Sequence, residues 1–238
     1  MSAIERYDPK DDNGSAIGEE HIARYEFAAR FVGGKKVLDI ACGAGYGSAM
    51  ISEAAKEVIG VDLDKKSIEQ ARANYKKANL SFISAPAEKI PFPDQYFDMV
   101  VSFETIEHLD NDRIFLSEIK RVLKKGGELI ISTPNRKIVS CYLIYHQPFN
   151  IYHKREYLKN EFINLIKDFF SIKEILGQRF IFSCLTNYII RKIIERICRL
   201  VRPRWERKIF YEADVASVKP LKLGKTASYF IIRAKKNE

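Results

Sequence analysis

The sequence is poor in cysteine: Cys42, Cys141, Cys184 and Cys198 are the only four in 238 residues, and no two form a CxxC pair. That scatter excludes a disulfide scaffold and a zinc knuckle. Long apolar runs are also missing. No stretch reaches the roughly 18 uncharged apolar residues of a membrane-spanning helix, and the opening MSAIERYDPKDD lacks the apolar core of a secretion signal. Neither an internal repeat nor a low-complexity tract is present. The length is too short for two full-sized enzyme domains, so the expectation is one cytoplasmic α/β domain across residues 1–238, with additions.

What the chain does have is a hydrophobic content of 46% beside 30% charged residues, the balance of a soluble globular protein, and a net charge of +9. The charge is local. Between Arg191 and Lys208 eight basic residues face two acidic ones, Glu195 and Glu206. The basic character therefore belongs to one segment and not to the whole surface.

Apolar spacing from Glu19 to Val32 suits a helix stopped by Gly33 and Gly34, which makes residues 1–32 an N-terminal helical cap. KKVLDIACGAGYGS then reads as a buried strand (Lys36 to Ile40), a glycine-rich turn and a helix opening near Ser48. EVIGVDLD, LSFISA, FDMVVSF and ELIIST supply four more strands, separated by the helix SIEQARANYKKAN, the turn PFPD and the helix DRIFLSEIKRVLK. This alternation predicts a mostly parallel sheet with helices on both faces. KREYLKNEFINLIKDFF is a further helix, SIKEIL a strand and ASYFIIRAK the closing strand. Residues 178–226 exceed what a minimal sheet needs and are read as a basic helical insertion.

Within that insertion, YIIRKIIERICRLV repeats apolar pairs every four residues, an amphipathic helix with an arginine-rich outer face, and RPRWERK follows it. The helix near 188–208 can dock on its own domain, mediate oligomerisation, or lie on an anionic membrane surface with Trp205 beside it. Nucleic-acid binding ranks last, because no RNA-binding module is visible.

Chemistry concentrates at two places. Asp39, Gly43, Gly45 and Gly47 sit where the first strand turns into its helix, and glycines there let backbone approach a ligand at the strand ends. Asp62 closes the second strand, where a carboxylate can accept both hydroxyls of a ribose. The two together favour an adenosine-containing ligand. The second place is FETIEHL, which puts Glu104, Glu107 and His108 after the fourth strand. At helical spacing these residues share a face, either as a solvated first turn or as converging acid, base or metal-binding groups.

VLDIACGAG, VIGVDLD, IPFPDQYFDMVVSFETIEHL and RVLKKGGELIISTPN resemble, in order and spacing, the successive motifs of class I S-adenosylmethionine-dependent methyltransferases across residues 36–135. The resemblance implies a Rossmann-like, doubly wound seven-stranded sheet, mostly parallel, with an antiparallel last strand and the insertion before it. It implies S-adenosylmethionine as cofactor, with Asp39 and the backbone from Ala41 through Gly43 to Gly45 at the methionine end. Asp62 would take the ribose, Leu63 would lie against the adenine and Phe103 near the sulfonium. Ala41 stands where the family usually has its first glycine. Pro86 replaces a frequent adenine-binding aspartate, which shifts that contact to Ala87 or Glu88.

EEHIARYEFAARF, STPNR, PFNIYHKREY and LGQR resemble bacterial members encoded among polysaccharide-assembly genes, so Tyr25 and His21 are expected to help close the site. The ExxEH pattern with a later histidine also resembles ubiquinone-biosynthesis O-methyltransferases and the enzymes that 2′-O-methylate small-RNA 3′ ends. That implies a metal set of Glu104, Glu107, His108 and His153 (or His146) for Mg²⁺, Mn²⁺ or Zn²⁺. The competing account makes His108 a lone base, with Glu104 supporting the cofactor and His153 a helix cap. Catalytic candidates are thus His108, Glu104 and His153, with Tyr142, Tyr145, Phe149 and Tyr152 as an acceptor floor. The expected reaction is O-methylation of a sugar, glycan intermediate or related small metabolite, by a cytoplasmic protein with peripheral contact to the inner membrane face. RNA 2′-O-methylation and a non-catalytic cofactor-binding scaffold are the alternatives.

Overall fold

The computed structural model describes residues 16–139, 150–182 and 216–237. The basic helix near 188–208, His146, Tyr142, Tyr145 and Phe149 lie outside the described residues. Eight strands form one sheet: β1 (Lys36–Ile40), β2 (Glu57–Asp62), β3 (Leu80–Ser84), β4 (Phe97–Ser102), β5 (Leu123–Pro134), β6 (Ser171–Phe182), β7 (Lys219–Pro220) and β8 (Lys225–Lys235). Their order is β3-β2-β1-β4-β5-β8-β6-β7. The first five pair in parallel, and β8 runs antiparallel between β5 and β6.

The parallel centre follows from sequence. β1 and β4 are apolar, β-branched runs with no room for a solvated face, so both faces need cover. Their residues alternate between two cores. Leu38, Ile40 and Val100 pack with Phe115 and Leu116 on one side, and Val37, Met99 and Val101 with Tyr25, Ile51 and Ile68 on the other. The covering helices are α1 (Ala16–Ala29), α2 (Tyr46–Ile51), α3 (Lys65–Asn74), α4 (Asp112–Val122), α5 (Arg136–Val139) and α6 (Lys159–Lys167). Two begin at side-chain caps. Asp64 accepts from the Ser67 amide at 3.0 Å and Asn111 from the Ile114 amide at 3.0 Å, each satisfying an otherwise orphaned donor.

Several expectations need correction. Among the described residues the sheet has eight strands where seven were expected, because the two-residue β7 pairs with β6 at Leu176 and Gly177. The SIKEIL strand continues to Phe182, held by an antiparallel ladder to β8 that reaches Phe182↔Lys225. Residues 178–182, 219–220 and 225–226 are therefore strand, and the region 178–226 is not helical at its ends. α4 ends at Val122, since Leu123 already pairs with Phe97. α6 starts at Lys159, which leaves HKREY as a loop. FETIEHL forms no α-helix: a 3-10 turn covers only Ile106–His108, and Glu104 has φ +50°. The expected shared helical face of Glu104, Glu107 and His108 does not exist.

At Gly47 the fold needs glycine for space. A Cβ there would stand 2.0–2.3 Å from three carbons of the Tyr25 ring. That ring cannot retreat easily, being 5% exposed and packed edge-on against Phe103 and Tyr46. Gly47→Ala is expected to lower stability by about 3 kcal/mol, the upper end for overpacking a core. A urea unfolding midpoint reads this directly.

Candidate functional site

A cavity of about 460 Å³ opens at the carboxyl ends of β1, β2 and β4, the crevice where open α/β sheets place ligands. Its floor is the β1–α2 turn. Ala41 and Gly43 both take left-handed backbone, at φ +60° and +54°. Ala41 does so with a side chain, at a cost of about 1–2 kcal/mol. Gly43 has nothing within 4 Å of where a Cβ would be, so open cavity lies over it. Gly45, also in the left-handed region at φ +83°, is different. Its Cβ would strike Ala71 and Phe82 at 2.7 Å, so its glycine serves packing of α2 on the sheet and it is absent from the cavity wall.

Asp62 projects from the end of β2 onto the wall and is 9% exposed. One carboxylate oxygen accepts from the Gly43 amide and the other from the Asp64 amide, each at 2.9 Å. Both oxygens keep lone pairs for further donors. Next to it Leu63 is 68% exposed, an apolar side chain standing uncovered at the rim. Ala87 and Glu88 continue the wall, and Glu88 also accepts from the Asn111 amide at 3.0 Å.

Asp39 is set behind the wall. It is fully buried and accepts from Ser48 Oγ at 2.6 Å and from the Tyr25 hydroxyl at 3.2 and 3.3 Å. Burial pushes its pKa up to about 7, with the Ser48 and Tyr25 hydrogen bonds pulling the other way. Asp39 is not on the cavity wall; Tyr25, whose hydroxyl donates to it, does line the cavity beside Phe103.

Helix α1 is fastened here by a buried polar group. Arg24, 1% exposed, donates from Nε to Gln178 at 2.8 Å, lies 4.5 Å over the Tyr229 ring and stands 3.8 Å from the Glu104 carboxylate. Glu20 faces Arg179 at 3.5 Å, and burial raises its pKa despite both arginines. His21 lines the cavity, and burial pushes its pKa down to about 3.

Opposite Asp62 the cavity ends in acids and imidazoles. Glu104 points its carboxylate at Ser132, which donates at 2.6 Å. The Glu107 carbonyl accepts the amides of Lys154 at 2.8 Å and Arg155 at 3.1 Å, and this carries the HKREY loop onto FETIEHL. His108 and His153 consequently meet edge to face, with ring centroids 4.8 Å apart. Nδ1 of His108 lies 3.2 Å from the Tyr152 carbonyl. A carbonyl only accepts, so Nδ1 carries a proton, and in the neutral imidazole the lone pair is then on Nε2. Nδ1 of His153 is 2.7 Å from Glu156, and its Nε2 is 3.1 Å from the Asn150 amide nitrogen.

One ligand atom each from Glu107, His108 and His153 lies within 4.8 Å of the others. Glu104 is not part of that group: its carboxylate accepts from Ser132 at 2.6 Å and stands 3.8 Å from Arg24. Glu107 is fully buried. Thr133 donates to one of its oxygens at 3.0 Å, while Oε1 has no hydrogen-bond partner. Burial, reinforced by Glu104, pushes its pKa well up. Glu156 is a wall residue that sequence reasoning missed, although its HxxE spacing from His153 was readable. Tyr229 had no such signal, since β8 brings it in from the far end of the chain. The described helices include none long and apolar enough to cross a membrane.

Comparison with known proteins places these features in a family context. Residues 38–131 match the family described as methyltransferase domain. A protein named as a probable S-adenosylmethionine-dependent methyltransferase in Mycolicibacterium smegmatis is 35% identical over 158 residues, 66% of this chain and 60% of that protein. The chain therefore spans 60% of that relative's length. The phthiotriol/phenolphthiotriol dimycocerosates methyltransferase of Mycobacterium tuberculosis is 34% identical over 45% of this chain and 41% of its own length. Among solved structures, the S-adenosylmethionine-dependent methyltransferase of Mesorhizobium loti superposes with a TM-score of 0.58 at 18% identity, covering 90% of this chain and 98% of that one. At that identity the likeness concerns the fold alone.

Proposed function

We propose, from the premise that residues 38–131 are a class I S-adenosylmethionine-dependent methyltransferase domain, that this chain methylates a hydroxyl group of a sugar, glycan intermediate or related small metabolite. The observation that carries the reading is the pairing of one cavity's two ends: Asp62 with uncovered Leu63 at one, His108 with a fixed tautomer at the other.

The wall fits the cofactor. Asp62 offers two carboxylate oxygens to a ribose, Leu63 a bare apolar face to an adenine, and Ala87 and Glu88 edge contacts. Asp62, Glu88, Glu104, Glu107 and Glu156 line the cavity, and the described residues put no lysine or arginine on its wall. Such a wall suits a ligand with a sulfonium and an ammonium charge. When bound, the cofactor supplies an electrophilic methyl group. The protein's part is to align an acceptor oxygen and to take its proton at His108 Nε2 as the oxygen–carbon bond forms. Tyr152 holds the imidazole in the basic tautomer, and helix α1, locked by Arg24 and Tyr25, covers the site from water.

A second reading has a specific observation behind it. The partnerless Oε1 of buried Glu107, grouped with His108 and His153, fits a divalent cation held by these three residues. Two imidazoles and one carboxylate suit Mn²⁺ or Zn²⁺ better than Mg²⁺, and the ion would lower the pKa of an acceptor hydroxyl. RNA 2′-O-methylation shares this residue pattern, but the described residues place no lysine or arginine on the cavity wall.

The test is transfer of labelled methyl from S-adenosylmethionine to sugar, glycan, quinol-precursor and small-RNA acceptors, each with and without EDTA. Label in a hydroxylated small molecule is expected. Label only in RNA contradicts the acceptor reading. Activity that survives EDTA leaves His108 as sole base, and loss restored by Mn²⁺ assigns the cluster to a metal.

A further inference from the structure

The imidazoles of His108 and His153 are joined by a chain of hydrogen bonds that runs through Asn150. The Tyr152 amide lies 3.0 Å from the side-chain oxygen of Asn150. A peptide N–H only donates, so the atom it meets is Oδ1, and the amide nitrogen Nδ2 is the one that faces His153. Nδ2 stands 3.1 Å from Nε2 of His153 and has only hydrogens to offer. Nε2 of His153 therefore holds a lone pair. Its ring proton is then on Nδ1, 2.7 Å from Glu156 Oε1. Both nitrogens of His153 are occupied in this arrangement, and the far end of the chain is anchored, since Glu156 is 1% exposed.

The same asparagine aims the carbonyl that meets His108. The Asn150 carbonyl accepts the His153 amide at 3.1 Å. That N–H and the Tyr152 carbonyl belong to one planar trans peptide unit, so they point in opposite directions. With the N–H turned to Asn150, the carbonyl is turned to His108 Nδ1 at 3.2 Å. The amides of Lys154 and Arg155 on the Glu107 carbonyl hold the next residues of the loop against the same turn. Glu156, His153, Asn150 and the Tyr152 peptide thus act in series on one imidazole.

We propose that Asn150, His153 and Glu156 are positioning residues for His108, acting through the Tyr152 carbonyl to keep a proton on its Nδ1 and the lone pair of the neutral ring on Nε2. The consequence for methyl transfer rests on the reading of His108 as base given above; the hydrogen-bond chain does not. His153 is itself neither base nor ligand while the chain is closed, because Asn150 holds its lone pair. A cation held by Glu107, His108 and His153 has to take that lone pair from Asn150 or displace the proton shared with Glu156. Base and metal centre are accordingly alternative states of one network.

NMR of the imidazole nitrogens in the full chain shows which nitrogen of each histidine carries a proton, with the four histidines assigned by single substitution. A free neutral imidazole favours the proton on Nε2, whereas here Nδ1 is expected to carry it in both His108 and His153. Asn150→Asp keeps an oxygen for the Tyr152 amide but turns a second acceptor to His153, so a proton is expected on Nε2 of His153. In Asn150→Ala the nitrogen shifts of His108 are expected to move as well, although the bond that reaches His108 comes from Tyr152. Transfer of labelled methyl should show kcat lowered by about 10-fold to 100-fold in Asn150→Ala, the range for a group that orients a reacting residue, with S-adenosylmethionine affinity unchanged. Glu156→Gln keeps an acceptor for His153 Nδ1 and should retain most of the rate that Glu156→Leu loses. A proton on Nε2 of His153 in the unsubstituted chain, His108 shifts unmoved in Asn150→Ala, or an unchanged kcat in that variant overturns the proposal. If the protons lie as expected and the unsubstituted chain methylates no acceptor, the methyl-transfer reading fails and the hydrogen-bond chain stands.

Discussion

Asp62→Ala is expected to weaken S-adenosylhomocysteine binding by about 100-fold to 10,000-fold. The carboxylate stands ready at the cavity wall, fixed by the Gly43 and Asp64 amides at 2.9 Å each. Each ribose hydroxyl would add a hydrogen bond to a charged acceptor, at about 1.5–3 kcal/mol apiece, and every 1.4 kcal/mol is tenfold in affinity. Alanine removes both bonds and also frees the Gly43 turn. Asp64→Ala is the control. It removes the cap of α3, where Asp64 accepts from Ser67, and should cost about 1 kcal/mol of stability with little change in affinity. Calorimetric titration separates the two. Equal affinity in Asp62→Ala and wild type would remove Asp62 from the ligand site.

His108→Asn is expected to lower kcat by about 100-fold to 10,000-fold, the range of a positioned general base, with S-adenosylmethionine affinity retained. The imidazole stands at the opposite end of the cavity from Asp62 and Leu63, so the cofactor's holding groups stay in place. An acceptor analogue with a more acidic hydroxyl needs less help in losing its proton and should recover part of the lost rate. A merely structural role for His108 predicts no such recovery. Stopped turnover with both acceptors reads the difference.

Much of this was legible in local sequence. The strand cores of β1, β2 and β4 are continuous apolar runs, Gly43 and Asp62 follow them at the ends where ligands sit, and the family motifs cover the same stretch. What escaped depends on partners far along the chain. Asp39 reads as a ligand-facing acid, and nothing local shows that Ser48 and Tyr25 occupy its oxygens. Glu104 looks like one of three residues on a helical turn. The positive φ at Glu104, with Ser132 and Arg24 drawing its carboxylate, removes it from the Glu107, His108 and His153 group. The residue pattern pairs His108 with His153, while the cause of their meeting, two loop amides on the Glu107 carbonyl, is a tertiary contact with no sequence signature. The extra length of β6 was hidden similarly, since QRFIF becomes strand only through its ladder to β8.

The most direct test of the account is a crystal structure of the chain with S-adenosylhomocysteine bound. The ribose hydroxyls should lie on the Asp62 carboxylate, the adenine should cover Leu63, and the sulfur should face the side of the cavity that holds Phe103 and His108. A ligand placed elsewhere, or a fully loaded protein in which Asp62 and Leu63 stay uncovered, would contradict it.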